Sequence, residues 1–114
     1  MDYAQQQRNP TKHLVGLGVV VVFHIVLIWA LVNGLARELG HADIRINALV
    51  PGWVITDKQR ALWLDAEGEA EIARVQCLRG YLQADDLARA ALFLAADDSR
   101  MCTGQSFIVD GGWV

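Results

Sequence analysis

His24 is the first residue whose placement could do chemistry. It is the only ionisable side chain between Leu14 and Val32, a nineteen-residue stretch (LVGLGVVVVFHIVLIWALV) that holds no Asp, Glu, Lys or Arg. An imidazole titrates near neutral pH, so a lone one in apolar surroundings can relay a proton; equally, it can stay neutral and bond a neighbouring helix. Both roles remain open for His24. Cys77 and Cys102 are the other reactive candidates. They show no CxxC and no metal-ligand spacing, and they read as two buried free thiols. No metal site is expected.

The elements that would position these groups fall into two kinds. Nineteen apolar residues at about 1.5 Å rise span roughly 28 Å, close to the hydrocarbon thickness of a bilayer. The β-branched run Val19–Val22 would favour a strand in water, but nineteen residues is too long for one, and in lipid a helix satisfies its own backbone. The run predicts a transmembrane helix over 14–37, behind a short polar tail at 1–13. Residues 38–114 read as a piece of an α/β fold. Ile44–Val50 is a β-rich run closed by the turn signal Pro51-Gly52. Helical stretches follow within 58–79, where Ile72, Val75 and Arg79 share a face. A clearer helix runs from about Ala84 to Ala96, with Leu87, Ala90, Ala91 and Leu94 as its apolar stripe and Asp85 and Asp86 at its positive end. Thr103-Gly104 turns the chain into a last strand at Gln105–Val109. Strand, helices, strand is a crossover unit, so the two strands are expected to be parallel.

Composition agrees with this division. Hydrophobic residues make up 54% of the 114 residues and charged residues 20%, but the two are segregated. Residues 1–37 carry a net charge of +2 and residues 38–114 a net of −5. Disordered, collagenous, disulfide-scaffold and nucleic-acid-binding classes are disfavoured. Arg8 and Lys12 before the apolar run weakly favour a cytoplasmic N-terminus and a single pass through the inner membrane. The alternative is a cytoplasmic protein that buries this helix in its own core.

Two resemblances attach to these halves. Residues 1–37, MDYAQQQRNPTKHLVGLGVVVVFHIVLIWALVNGLAR, resemble the N-terminal anchor of a TonB-type energy transducer, whose membrane helix couples through a histidine to a proton-channel complex. His24 would hold that position. The family often carries a serine four residues earlier, where Val20 stands here.

The second resemblance is more specific. It rests on N-A-x-x-P-G-x-x-x-T at Asn47–Thr56, A-x-F-L-x-x-D-x-S at Ala91–Ser99, Thr103-Gly104, and V-D-G-G at Val109–Gly112. From about residue 35 to 114 the chain resembles the C-terminal part of a short-chain dehydrogenase/reductase, and Gln59–Trp63 with Arg74–Arg79 is similar to members that oxidise aldoses at C1. This implies a Rossmann-like doubly wound sheet and NAD or NADP as cofactor. It also implies cofactor-binding roles at Asn47, Pro51, Gly52, Val54 and Thr56: backbone near Val54 would meet the nicotinamide carboxamide, and the Thr56 hydroxyl a phosphate oxygen.

The family's glycine-rich turn and its Tyr-x-x-x-Lys pair are not found in these residues. The pair's places fall on Val21 and Ile25, and Lys12 has Arg8 rather than Tyr at the matching distance. No catalytic residue is assigned, and catalysis by this chain alone is not expected. The two resemblances overlap around residues 33–40, which suggests a fusion sharing one helix from about Thr11 to Leu39. The expected function is therefore a truncated, membrane-anchored oxidoreductase. The alternatives are a fragment completed by an intact dehydrogenase subunit, and an anchor engaging a proton-channel complex through His24; a homo-oligomer is the other candidate partner, through which the small α/β segment would gain stability. No nucleic-acid partner is expected.

Overall fold

The computed structural model describes residues 10–114. Asp2, Tyr3 and Arg8 lie outside them. The first element, α1, is one helix over Pro10–Leu39, so the helix predicted from about Thr11 to Leu39 is continuous. Its 30 residues extend about 45 Å. Pro10 stands at the first helical position, where a missing N–H costs no intrahelical bond. Every residue from Thr11 to Leu31 is exposed. Two polar side chains of α1, His24 and Asn33, turn back onto the helix. His24 Nδ1 lies 2.7 Å from the Val20 carbonyl and Asn33 Nδ2 donates to the Trp29 carbonyl at 2.8 Å. Such i to i−4 bonds satisfy polar groups without a neighbouring helix. By length and composition α1 could cross a membrane.

A 3₁₀ turn at Gly40–Ala42 ends the helix. It closes on Asp43, which takes the left-handed conformation (φ 58°) that Asp tolerates better than most residues. Two short strands follow in the order expected. β1 (Ala48–Pro51) and β2 (Ser106–Val109) pair in parallel, with Ala48 opposite Ser106 and Pro51 opposite Val109. Between them lie α2 (Asp57–Leu62), α3 (Ala66–Val75) and α4 (Ala84–Ala95).

Both strands start later than the sequence pattern suggests, for a visible reason. The Ile46 N–H bonds to Thr103 Oγ1 (3.1 Å), and the Gln105 N–H bonds to Asn47 Oδ1 (3.1 Å). Side chains take the place of some rungs at this end of the ladder, so regular pairing begins at Ala48 and Ser106. Helix α3 ends at Val75, before Arg79, because the chain from Gln76 extends to pair with the C-terminal segment. Cys77 N–H donates to the Gly112 carbonyl (2.8 Å) and Leu78 N–H to that of Gly111 (2.9 Å). This edge position leaves Cys77 exposed. Cys102 is half-buried, so the expectation of two buried thiols is corrected.

The core is small. Among the described residues, Ala36, Ile55, Ile72, Val75 and Leu82 are the buried hydrophobics. On one sheet face Phe107 meets Phe93 of α4 edge-on, ring centroids 6.4 Å apart. On the other face the paired residues Val50 and Ile108 remain 40% and 66% exposed. Parallel strands ordinarily have both faces covered, so this sheet is covered on one face only. In the α4 stripe, Leu87, Ala90 and Leu94 are half-buried, while Ala91 is exposed.

Candidate functional site

Ligands of open parallel sheets sit beyond the carboxyl ends of the strands. Here that end is the loop from Pro51 to Thr56, which joins β1 to α2. Three contacts hold it. Gly52 N–H donates to the Val109 carbonyl at 2.9 Å, extending the ladder past β1. Gly52 also lies against the end of β2: a Cβ there would stand 2.6 Å from Asp110 Cβ and 2.7 Å from its Cα. Only glycine fits, and the neighbour that demands it is Asp110. Further along, Val54 bridges Leu82 in parallel, with Ile55 N–H donating to the Leu82 carbonyl at 2.8 Å. In extended backbone, successive N–H and C=O groups alternate sides. Because Ile55 carries the bond to Leu82, the amide groups of Val54 face the other way.

Thr56 closes the loop as the N-cap of α2, its Oγ1 accepting from the Gln59 N–H at 3.2 Å. The cap uses a lone pair and leaves the hydroxyl proton for another acceptor. Trp53 is braced outward, its Nε1 donating to Gln59 Oε1 at 2.9 Å and its ring seated against Gly68. Val54, Thr56, Pro51 and Gly52 thus form one wall at the carboxyl end of β1. None of the four carries a side chain that titrates near neutral pH, so the wall can bind and orient, and cannot itself move a proton at that pH.

Asn47 lies at the opposite end of β1. Its amide donates to the Cys102 carbonyl (2.8 Å) and accepts from the Gln105 N–H (3.1 Å), clamping the turn before β2. The V-D-G-G segment closes the other end of that strand. Asp110 Oδ1 accepts from the Gly112 N–H at 2.8 Å, and Gly111 and Gly112 both take positive φ (70° and 81°), a conformation open to glycine. A Cβ on Gly111 would also come within 2.8 Å of Gln76 Cδ.

Two clusters escaped the sequence reading. Arg45 donates to the carbonyls of Leu94 and Ser99 and to Ser99 Oγ, each at 2.8 Å, and more distantly to Ala96 at 3.3 Å. Ser99 is 1% exposed. A cation at the carbonyl end of α4 complements the helix dipole. Ser99 stood inside a recognised motif, but nothing in the spacing linked it to Arg45. The second cluster adjoins the wall. Tyr81, next to Leu82, donates to Glu69 Oε1 at 2.8 Å, and the Arg60 guanidinium lies 5.2 Å from its ring centroid. The hydrogen bond to Glu69 pushes the Tyr81 phenol above its ordinary pKa, burial and the Glu69 charge add to this, and Arg60 opposes it. Glu69 and Tyr81 also line a surface cleft of about 420 Å³ with Ile72 and Leu78.

The parallel pair, its crossover helices and the loop at its carboxyl end define part of a dinucleotide-fold α/β protein. Residues 27–114 match the family model described as Enoyl-(Acyl carrier protein) reductase. The chain is 47% identical over 81 residues to D-xylose 1-dehydrogenase of Caulobacter vibrioides, covering 71% of this chain and 32% of that enzyme. It superposes on a short-chain type dehydrogenase/reductase from Mycobacterium ulcerans with a TM-score of 0.70 at 33% identity, over 76% of this chain and 32% of that one. It also superposes on 4-hydroxyisoleucine dehydrogenase complexed with NADH, with a TM-score of 0.68 at 26% identity, over 77% of this chain and 36% of that one. The chain belongs to the short-chain dehydrogenase/reductase family, and it spans about a third of the length of the relatives it matches. The match begins at Leu27, eight residues before the motif-bearing stretch that opens at Leu35. His24 lies upstream of it, and the match lends no support to an energy-transducer origin for the helix.

Proposed function

We propose that these residues form the nicotinamide-facing wall of a short-chain dehydrogenase/reductase-type oxidoreductase held at a membrane by α1. The observation that carries the reading is the Pro51–Thr56 loop, with the Val54 amide groups turned away from their own bridge and the Thr56 hydroxyl proton left by its cap. That donor and acceptor set suits the carboxamide and adjacent phosphate of NAD or NADP. A bound nicotinamide would supply the hydride acceptor. Val54 and Thr56 would orient it, Gly52 would set how close the loop lies to β2, and Asn47 would act at a distance by positioning the strand. The likeness to a D-xylose dehydrogenase favours an aldose oxidised at C1 as the substrate class. A complete site needs the glycine-rich turn and the Tyr/Lys pair, which an intact dehydrogenase subunit would supply only where the α/β segment lies on the cytoplasmic side; a spanning α1 with the N-terminus cytoplasmic excludes that completion.

The test is saturation-transfer NMR on the full chain in detergent micelles with NADH or NADPH. Transfer should favour the nicotinamide protons over the adenine protons, and Thr56→Val should weaken it. Transfer that is absent or dominated by adenine overturns the binding role. Turnover of D-xylose with NAD by these 114 residues alone overturns the inference that they do not catalyse.

Membrane attachment rests on α1, whose apolar residues from Leu14 to Leu31 are exposed all round. A core helix would bury a stripe; a helix apolar on every face suits lipid. Retention of the full-length chain in an alkaline-washed membrane pellet is expected, with the N-terminus cytoplasmic. Recovery in the soluble fraction overturns it and restores the cytoplasmic alternative. The transducer reading stands only on residues 1–37 and His24. If expression of the chain hampers a proton-channel complex, His24→Ala should relieve the effect, and persistence of the effect removes His24 from the account.

A further inference from the structure

We infer that the Thr103–Gln105 turn lies in the phospholipid headgroup layer, so that the α/β segment is seated directly on the membrane with no linker between. This rests on the reading of α1 as a spanning helix and adds to it where the lipid must end. Exposure along α1 changes at one point. Residues 11–31 are exposed on every face; Val32, Asn33 and Leu39 are half-buried and Ala36 is 8% exposed. Val32, Ala36 and Leu39 recur at helical spacing on one side, so a single surface covers them. Part of that surface is the turn before β2: a Cβ on Gly104 would stand 3.6 Å from Ala36 Cβ and 3.8 Å from Asn33 Oδ1. The turn is fixed to the α/β body, since Gly104 N–H donates to the Ile46 carbonyl at 2.7 Å and Thr103 Oγ1 accepts from the Ile46 N–H at 3.1 Å.

Lipid cannot occupy the side of Asn33 and Ala36 that protein already covers. The apolar run from Leu14 to Val32 fills about 28 Å of a hydrocarbon layer roughly 30 Å thick. The boundary therefore falls near Asn33, and Ala36 stands only about 5 Å beyond it along the axis. Each headgroup layer is roughly 5–7 Å deep, which places the turn inside it. Neighbouring residues suit that level. Trp29, 64% exposed, lies one turn on the hydrocarbon side, where indoles gather, and the exposed Arg37 lies one turn on the phosphate side. Thr103 and Gln105 present an exposed hydroxyl and amide.

The experiment uses the full chain in phosphatidylcholine vesicles, on a Cys77→Ser, Cys102→Ser background, with an environment-sensitive fluorophore at Gln105→Cys or at Val26→Cys. Lipids carrying a nitroxide at the headgroup or in mid-chain serve as quenchers. The label at position 105 should be quenched more by the headgroup nitroxide and the label at 26 more by the mid-chain nitroxide. Mid-chain quenching at 26 with neither lipid quenching at 105 overturns this inference and leaves the spanning helix standing. Quenching by neither lipid at 26 overturns the spanning reading and this inference with it.

Discussion

Replacing Gly52 by Ala tests whether the candidate wall is set by its contact with Asp110. The added methyl would sit 2.6 Å from Asp110 Cβ and 2.7 Å from Asp110 Cα. Carbon atoms pack best at about 3.5–4.0 Å, so one side must yield by about 1 Å. If β1 lifts, the Gly52 N–H loses the Val109 carbonyl at 2.9 Å. If Asp110 moves instead, it takes with it the carboxylate that holds the Gly112 N–H. Overpacking costs about 1–3 kcal/mol and a lost backbone bond roughly 0.5–1.5 kcal/mol, a combined loss of about 1.5–4.5 kcal/mol. At about 1.4 kcal/mol per decade, opening of the β1 end should rise roughly 10- to 1,500-fold. Amide hydrogen exchange on the full chain in micelles reads this directly, through the Gly52 and Ile55 amides. Gly34→Ala is the control, because nothing lies within 4 Å of a Cβ there. Unchanged exchange at Gly52 and Ile55 would refute the argument that Asp110 sets the loop's position.

Three further outcomes follow from other contacts. Arg45→Met should lower the stability of the α/β segment by about 1.5–3 kcal/mol, because the charge-assisted bonds to the carbonyls at the end of α4 are lost; a denaturation midpoint equal to wild type would count against the cluster. Tyr81 should ionise at a higher pH than an ordinary tyrosine, and Glu69→Ala should lower that pH, as followed by phenolate absorbance. Because its folded-state pKa is raised, whatever Tyr81 adds to stability is present below its unfolded pKa and is lost as pH rises through the folded one; an unshifted titration in Glu69→Ala would contradict the bond. Val22→Arg places a charge inside the apolar run at a cost of about 2.5–3.5 kcal/mol for insertion, so the washed membrane pellet should lose protein; full retention would argue against a spanning helix.

What was legible in the sequence was local. The apolar run, the Pro51-Gly52 turn, the stripe of α4 and the parallel crossover all rest on composition and spacing within one element or its immediate neighbour. The dehydrogenase motifs were legible as a pattern, but not the reasons for each residue. Gly52 is required by Asp110, which is distant in sequence, and that contact follows from the strand register. The Arg45–Ser99 cluster was hidden for the same reason: an arginine before a strand has no periodic signal, and its partners are carbonyls at the far end of a later helix. The strand starts are not legible from propensity, because Asn47 and Thr103 side chains hydrogen-bond as if they were backbone. Cys77 was expected inside because thiols usually are, whereas the pairing of Gln76–Leu78 with the C-terminal segment holds it at an edge.

α1 runs unbroken from residues outside the family match into residues within it. A helix needs only its own backbone to continue, so two sequences of different origin can share one without a break, provided each stretch finds a suitable solvent. Hydrophobic burial is non-directional, and Leu27–Leu31, which the family match includes, are apolar enough to be satisfied by lipid as well as by protein. The switch comes at Val32, where one face of α1 meets the Gly104 turn. The arrangement has a consequence on the sheet. With α1 from Thr11 to Leu31 in lipid, as proposed, no part of that stretch would lie across Val50 and Ile108, the sheet face that stands open. With four buried hydrophobic residues among those described (Ile55, Ile72, Val75 and Leu82), the α/β segment has little core with which to offset this exposure. Its short strands with an open face and a free β1 edge are a template for pairing with another chain, so this surface is where association of the segment should begin.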